Sequence, residues 1–94
     1  MMSTKLVGPV IRHSEIAEAL IAAIERDNPD TFVYVDDRGG YIRIHTEKYC
    51  RVTRKTLEAI LGRSCPLSQL EHTLATFAGR IKSGEEEIVW YLEN

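Results

Sequence analysis

Five side chains in this sequence could hold a soft metal or supply a reactive thiol or imidazole: His13, His45, His72, Cys50 and Cys65. No two of them stand at the C-x₂-C or H-x₃-H separations that let neighbouring ligands close on one zinc ion. A fold could still bring Cys50, Cys65 and His72 together. The simpler reading is two small buried thiols and surface imidazoles. Nucleophilic catalysis lacks its frame, because there is no G-x-S-x-G elbow to expose a serine. Thr53-Arg54-Lys55 could lower the pKa of a nearby thiol, but Cys50 is expected to face inward on a strand. The acids Asp36-Asp37 and Glu85-Glu86-Glu87 fall in turn sequences, where carboxylates solvate the chain. Gly39-Gly40 reads as a hairpin connection and not as a phosphate cradle between strand and helix. The aromatic residues show no stacking pattern for single-stranded nucleic acid. These residues point to no catalytic group, no metal and no cofactor, and so to a protein that works by binding.

One feature breaks a local rule. Arg54 and Lys55 open a helix, where the backbone dipole is already positive. Either an Arg54–Glu58 pair at i,i+4 relieves the repulsion, or the two cations form a positive spot for an acidic partner.

The elements that must position these residues follow from hydrophobic spacing. Leu6–Arg12 reads as a strand. Gly8-Pro9 inside it implies an edge or a bend, since proline cannot donate to a ladder. Ser14 caps a helix whose apolar stripe is Ile16, Ala19, Leu20, Ala23 and Ile24, with Glu15 and Glu18 in the first turn. Asn28-Pro29 ends it. Thr31–Asp37 and Tyr41–Thr46 form a hairpin, with Ile42 and Ile44 on one face and Tyr41, Arg43 and His45 on the other. Lys48–Val52 is a further strand. Thr53 caps a second helix with Leu57, Ile60 and Leu61 buried, and Gly62 supplies the left-handed end. Pro66–Glu71 adds one helical turn. His72–Ile81 alternates as a strand in which Gly79 marks a bulge or a close approach. Ser83-Gly84 turns the chain into a last strand, Ile88–Leu92. The string β-α-β-β-β-α-β-β is α+β, with helices packed against an antiparallel sheet.

Length and charge bound the function. At 94 residues and 10.7 kDa the chain is read as a single domain over 1–94, with 1–5 as a flexible N-terminal arm. The longest apolar run, Ala19–Ile24, is far short of the roughly 20 residues a membrane span needs. There is no apolar signal region, so a cytoplasmic protein with reduced cysteines is expected. A net charge of −2 argues against a nucleic-acid binder. That charge is uneven: residues 38–63 carry seven basic and two acidic groups, enough for a basic surface.

The order of segments adds a family likeness. It is carried by Val7-Gly8-Pro9-Val10-Ile11-Arg12, Ala23–Pro29, Tyr41-Ile42-Arg43-Ile44, Thr53–Glu58, Leu61-Gly62-Arg63, Leu70-Glu71 and Leu74–Ile81. Together these resemble the effector, or coupling, proteins of soluble diiron monooxygenases. Those are the small regulatory components of toluene, phenol, alkene and methane monooxygenases. The likeness covers residues 7–92 and is nearest to the toluene and alkene systems. It implies a cofactor-free protein, not itself an enzyme, that docks on a separate diiron hydroxylase. There it would tune oxygen activation, substrate access and coupling. It would share the hydroxylase with a ferredoxin or reductase, in competition or in succession. In methane-type relatives a polar patch before a Gly-Arg pair lies near the hydroxylase pore. The matching positions are Thr73, Ala75, Thr76 and Phe77, then Gly79 and Arg80. Ala75 and Phe77 make the patch less polar here. Phe77 can fill the core or meet the partner, and Thr76 is the better interface position. Arg54 and Lys55 complete the expected interface.

Two other classes fit the residues alone. One is a cofactor-free small-molecule-binding or self-assembling regulatory domain, and an edge strand could support a homodimer. The other is an enzyme with an unrecognised site.

Overall fold

A computed structural model describes residues 5–92. Ten elements run in the order β1 (Leu6–Arg12), α1 (Glu15–Asp27), β2 (Tyr34–Asp37), β3 (Tyr41–Glu47), β4 (Tyr49–Thr53), α2 (Arg54–Leu61), α3 (Leu67–Thr73), β5 (Leu74–Ala78), β6 (Arg80–Ser83) and β7 (Glu87–Tyr91). The fold is α+β. The strands divide between two antiparallel sheets, ordered β2-β3-β1-β5 and β4-β7-β6. The arm assigned to residues 1–5 lies, apart from Lys5, outside the described residues. Among the described residues no helix is long and apolar enough to cross a membrane.

Local chemistry explains the helices. Ser14 is extended and its hydroxyl accepts from the Ala17 N–H at 3.1 Å, a side-chain N-cap. Ala17, Ala19, Leu20, Ala23 and Ile24 are then buried on one face of α1. Gly62 ends α2 at φ 76°, and its N–H donates to the Glu58 carbonyl at 2.8 Å. The core joins this stripe to Val7, Ile11, Ile42, Ile44, Leu57, Leu70 and Trp90.

Two expectations are corrected. β1 is an interior strand, between β3 and β5, and not an edge. The bend half of that reading holds. Pairing with β3 breaks at Gly8 and Pro9 and resumes at Val10 in the same register. Gly8 sits at φ 146°, so the missing donor of Pro9 falls where the ladder is already open. The expected single strand from His72 to Ile81 is three pieces. His72 and Thr73 finish α3, β5 joins the first sheet, and β6 joins the second. Gly79 is the crossing point, at φ 92°. A Cβ there would stand 2.6 Å from Val7 Cγ1 and 2.9 Å from the Tyr91 carbonyl oxygen, so the close approach is real.

Asn28 does more than end α1. Its side-chain amide donates to the Ile24 and Arg51 carbonyls at 2.7 Å each, and its Oδ1 accepts from the Arg51 N–H at 3.1 Å. It pairs with the free edge of β4 as a strand would, satisfying backbone groups that edges leave open. Asn28→Ala removes both partners from Arg51 at once. The expected loss is roughly 2–3 kcal/mol of stability. It should appear as a lower urea midpoint with an unchanged slope.

Candidate docking surface

Residues expected at an interface fall in two places. The first is β5 and its flanks. Thr73 closes α3, half-buried, with its hydroxyl donating to the Leu70 carbonyl at 2.6 Å. Ala75 is an extra, exposed residue: Ile11 pairs with Leu74 while Val10 pairs with Thr76, so the bulge lies at Ala75 and not at Gly79. Thr76 is exposed and shares a face with Val10, which lies opposite Arg43. Phe77 lies opposite Pro9 on the other face, yet stays 39% exposed because β5 is an edge strand. Arg80 is exposed at the head of β6, opposite Tyr91.

The second place is the start of α2. The Arg54 guanidinium bonds Glu58 at 2.8 Å, four residues on. Glu58 also accepts from the Cys65 N–H at 2.7 Å. That backbone bond and the Arg54 pair hold the Glu58 carboxyl below its ordinary pKa. Lys55 is exposed, with no ion pair among the described residues. The larger answer to the positive helix start comes from another element. Asp27, at the end of α1, accepts from the Thr53 N–H at 2.8 Å, from the Thr53 hydroxyl at 3.0 Å and from the Thr56 hydroxyl at 2.8 Å. A carboxylate is thus held at an N-terminus whose own first turn contains no acid. Nothing local in the sequence signals this, since 26 residues separate Asp27 from Thr53. A cavity of about 490 Å³ opens beside Arg54, lined also by Leu67, Glu71, Ser83 and Glu85.

Neither thiol is poised for chemistry. Burial pushes Cys50 up to about 12, against a weaker opposing hydrogen bond from Thr46. Burial also raises Cys65. Among the described residues no three His, Cys, Asp or Glu side chains gather to hold a metal ion, so Cys50, Cys65 and His72 form no such cluster.

His45 is the perturbed imidazole. Its Nε2 is buried and has no hydrogen-bond partner among the described residues. Burial, then the nearby Arg43 charge, lowers its pKa, with Asp36 opposing. The folded state therefore resists a proton that the unfolded chain takes up below about pH 6.5. Stability should be full above that pH and should fall as pH drops toward the lowered folded value. Urea midpoints at pH 7.5 and 5.0 check this, and His45→Gln should flatten the dependence.

The exposed polar and aromatic side chains of the four-stranded sheet give the fold a surface suited to binding another molecule. The chain belongs to the MmoB/DmpM family, whose model matches residues 5–91. It is 45% identical to the effector subunit of the alkene monooxygenase system of Xanthobacter autotrophicus strain Py2, over 99% of this chain and 92% of that one. It is 26% identical to DmpM, the stimulatory component of phenol 2-monooxygenase from Pseudomonas sp. strain CF600, over 97% of this chain and 99% of that one. A chain in a structure of the phenol hydroxylase–regulatory protein complex superposes with a TM-score of 0.81 at 25% identity, covering 94% of this chain and 99% of that one. The soluble methane monooxygenase regulatory protein B has the same fold, with a TM-score of 0.71 at 19% identity, covering 99% of this chain and 69% of that one.

Proposed function

We propose that this chain is the non-enzymatic effector of a multicomponent alkene or aromatic monooxygenase, and that it docks on the diiron hydroxylase of that system. The observation that carries the reading is the 45% identity, over 99% of this chain, with an alkene monooxygenase effector subunit. The regulatory-protein fold, described for a phenol hydroxylase complex, supports it. Such a protein contributes no reacting group. It binds one hydroxylase conformation more tightly than another and shifts the population toward it. Oxygen activation, substrate entry and coupling of reductant to product then change together. The effector shares the hydroxylase with the ferredoxin or reductase, by competition or succession. The compartment we assign is the cytoplasm, in keeping with two free, buried cysteines.

Thr73, Ala75, Thr76, Phe77, Gly79 and Arg80 form one part of the proposed contact, and Arg54 with Lys55 the other. Lys55 is the cleaner probe of the second part, because Arg54 is tied to Glu58 and through it to Cys65. Lys55→Glu should weaken hydroxylase binding about fivefold at low salt without lowering the melting temperature, since an acid suits the start of a helix.

Reconstitution tests the whole reading. Hydroxylase and electron-transfer proteins are assayed with and without the chain. Addition should raise product formation and lower the peroxide released per NADH consumed. Equal turnover in its absence, or turnover of substrate by the chain alone, would refute it.

A further inference from the structure

Among the described residues, no element packs over the outward face of the four-stranded sheet, which carries exposed aromatic side chains. Ile42, Ile44 and Thr46 are buried, so Tyr41, Arg43 and His45 point the other way. The register extends that face across all four strands. Tyr34 lies opposite His45, Arg12 opposite Tyr41, and one row reads Asp36, Arg43, Val10, Thr76. Tyr34 is 42% and Tyr41 47% exposed, and Phe32, just before β2, is 69% exposed. Phe32 meets the Tyr34 ring edge-on at 4.7 Å, so the two form one projecting aromatic unit. Beside them lies a groove of about 460 Å³ lined by Leu6, Phe32, Tyr34, Val35, Arg43 and His45.

The charges on this face are unevenly satisfied. Asp36 is taken by Arg38 at 3.0 Å. Arg12 and Arg43 make no ion pair among the described residues. The other acid on the face, Glu47, stands at the far end of β3, opposite Leu6. Aromatic surface with two uncommitted guanidinium groups is complementary to an apolar patch edged with carboxylates.

We propose that this face, centred on Phe32, Tyr34 and Arg43, is where the hydroxylase docks, and that the hydroxylase meets it with apolar side chains flanked by Asp or Glu. The proposal rests on the effector reading and says which surface performs it. It is continuous with Thr76, so β5 forms one margin of the contact and the Phe32–Tyr34 pair the opposite one.

The test is titration of the hydroxylase with the full chain by calorimetry. Phe32→Ser and Arg43→Glu should each weaken binding at least about tenfold. Glu25→Lys, exposed on α1, should stay within about twofold. Hydroxyl-radical footprinting of the unmodified complex gives a reading that does not depend on any variant folding. Tyr34 and Tyr41 should lose reactivity when the hydroxylase binds. Unchanged affinity of folded variants, or unprotected Tyr34 and Tyr41, overturns the proposal while the effector reading stands. Protection that develops with concentration in the chain alone would give the face to a second copy and also overturns it. If the unmodified chain does not bind the hydroxylase at all, the effector reading itself fails.

Discussion

Thr76→Glu should abolish most coupled oxygenation in the reconstituted system while the isolated protein melts within about 4 °C of its normal temperature. The residue is exposed on an edge strand, where a change of side chain disturbs little packing. Its face is the one that carries Arg43 and the exposed tyrosines. Once the partner covers that strand and its carboxylates engage Arg12 and Arg43, a new carboxylate loses its water and is left without a counter-charge. An unpaired buried charge costs several kcal/mol, enough to weaken the affinity for the hydroxylase by about a hundredfold or more. NADH consumption should then yield less product and more peroxide. Normal coupled turnover would exclude Thr76 from the contact.

The second large effect is on the fold itself. Gly8→Ala should destabilise the protein by roughly 3–5 kcal/mol, or prevent folding altogether. Two penalties act at one atom. At φ 146° an L side chain is strained, and the new Cβ would lie 2.1 Å from the Ile44 carbonyl oxygen. That oxygen belongs to a core strand and has no flexible end that could swing away. Gly62→Ala is the control. It also has a positive φ, 76°, but nothing stands within 4 Å of the added methyl, so only the backbone term of about 1–2 kcal/mol applies. Thermal melts followed by the fluorescence of the buried Trp90 should separate the two variants clearly. Equal melting temperatures would show that β1 can slide away from β3 at little cost.

Much of this architecture was legible in short-range pattern. Ser14, Thr53 and Gly62 mark helix ends by their own chemistry, and the alternation of Tyr41–Thr46 sorts inner from outer residues correctly. What stayed hidden depends on partners far along the chain. Proline in β1 suggested an edge, but Gly8 supplies the backbone freedom that lets an interior strand carry it. The residue pattern of His72–Ile81 does not mark where β5 ends and β6 begins. Periodicity has no way to tell that they serve different sheets. Asn28 reads as a helix-ending residue and Asp27 carries no local signal, and their bonds to Arg51, Thr53 and Thr56 exist only after the chain has folded back. The residues proposed for docking were harder still. Phe32 and Tyr34 read as ordinary strand aromatics, and only the finished sheet shows that no described residue covers them fully.

The strand order β2-β3-β1-β5 also governs how the protein is made. β1 leaves the ribosome first, yet one of its two neighbours, β5, ends at Ala78. Translation at roughly 5–20 residues per second leaves that side of β1 unpaired for several seconds. During this interval the nascent chain presents an open backbone edge beside Val7, Val10 and Ile11, which are buried in the finished molecule. A chain interrupted before β5 would keep that edge permanently, a template for pairing with other chains. Ribosome-stalled fragments ending near Thr73 should therefore recruit chaperones or aggregate. Fragments in which Tyr91, and with it Trp90 of the core, has cleared the exit tunnel should resist proteolysis.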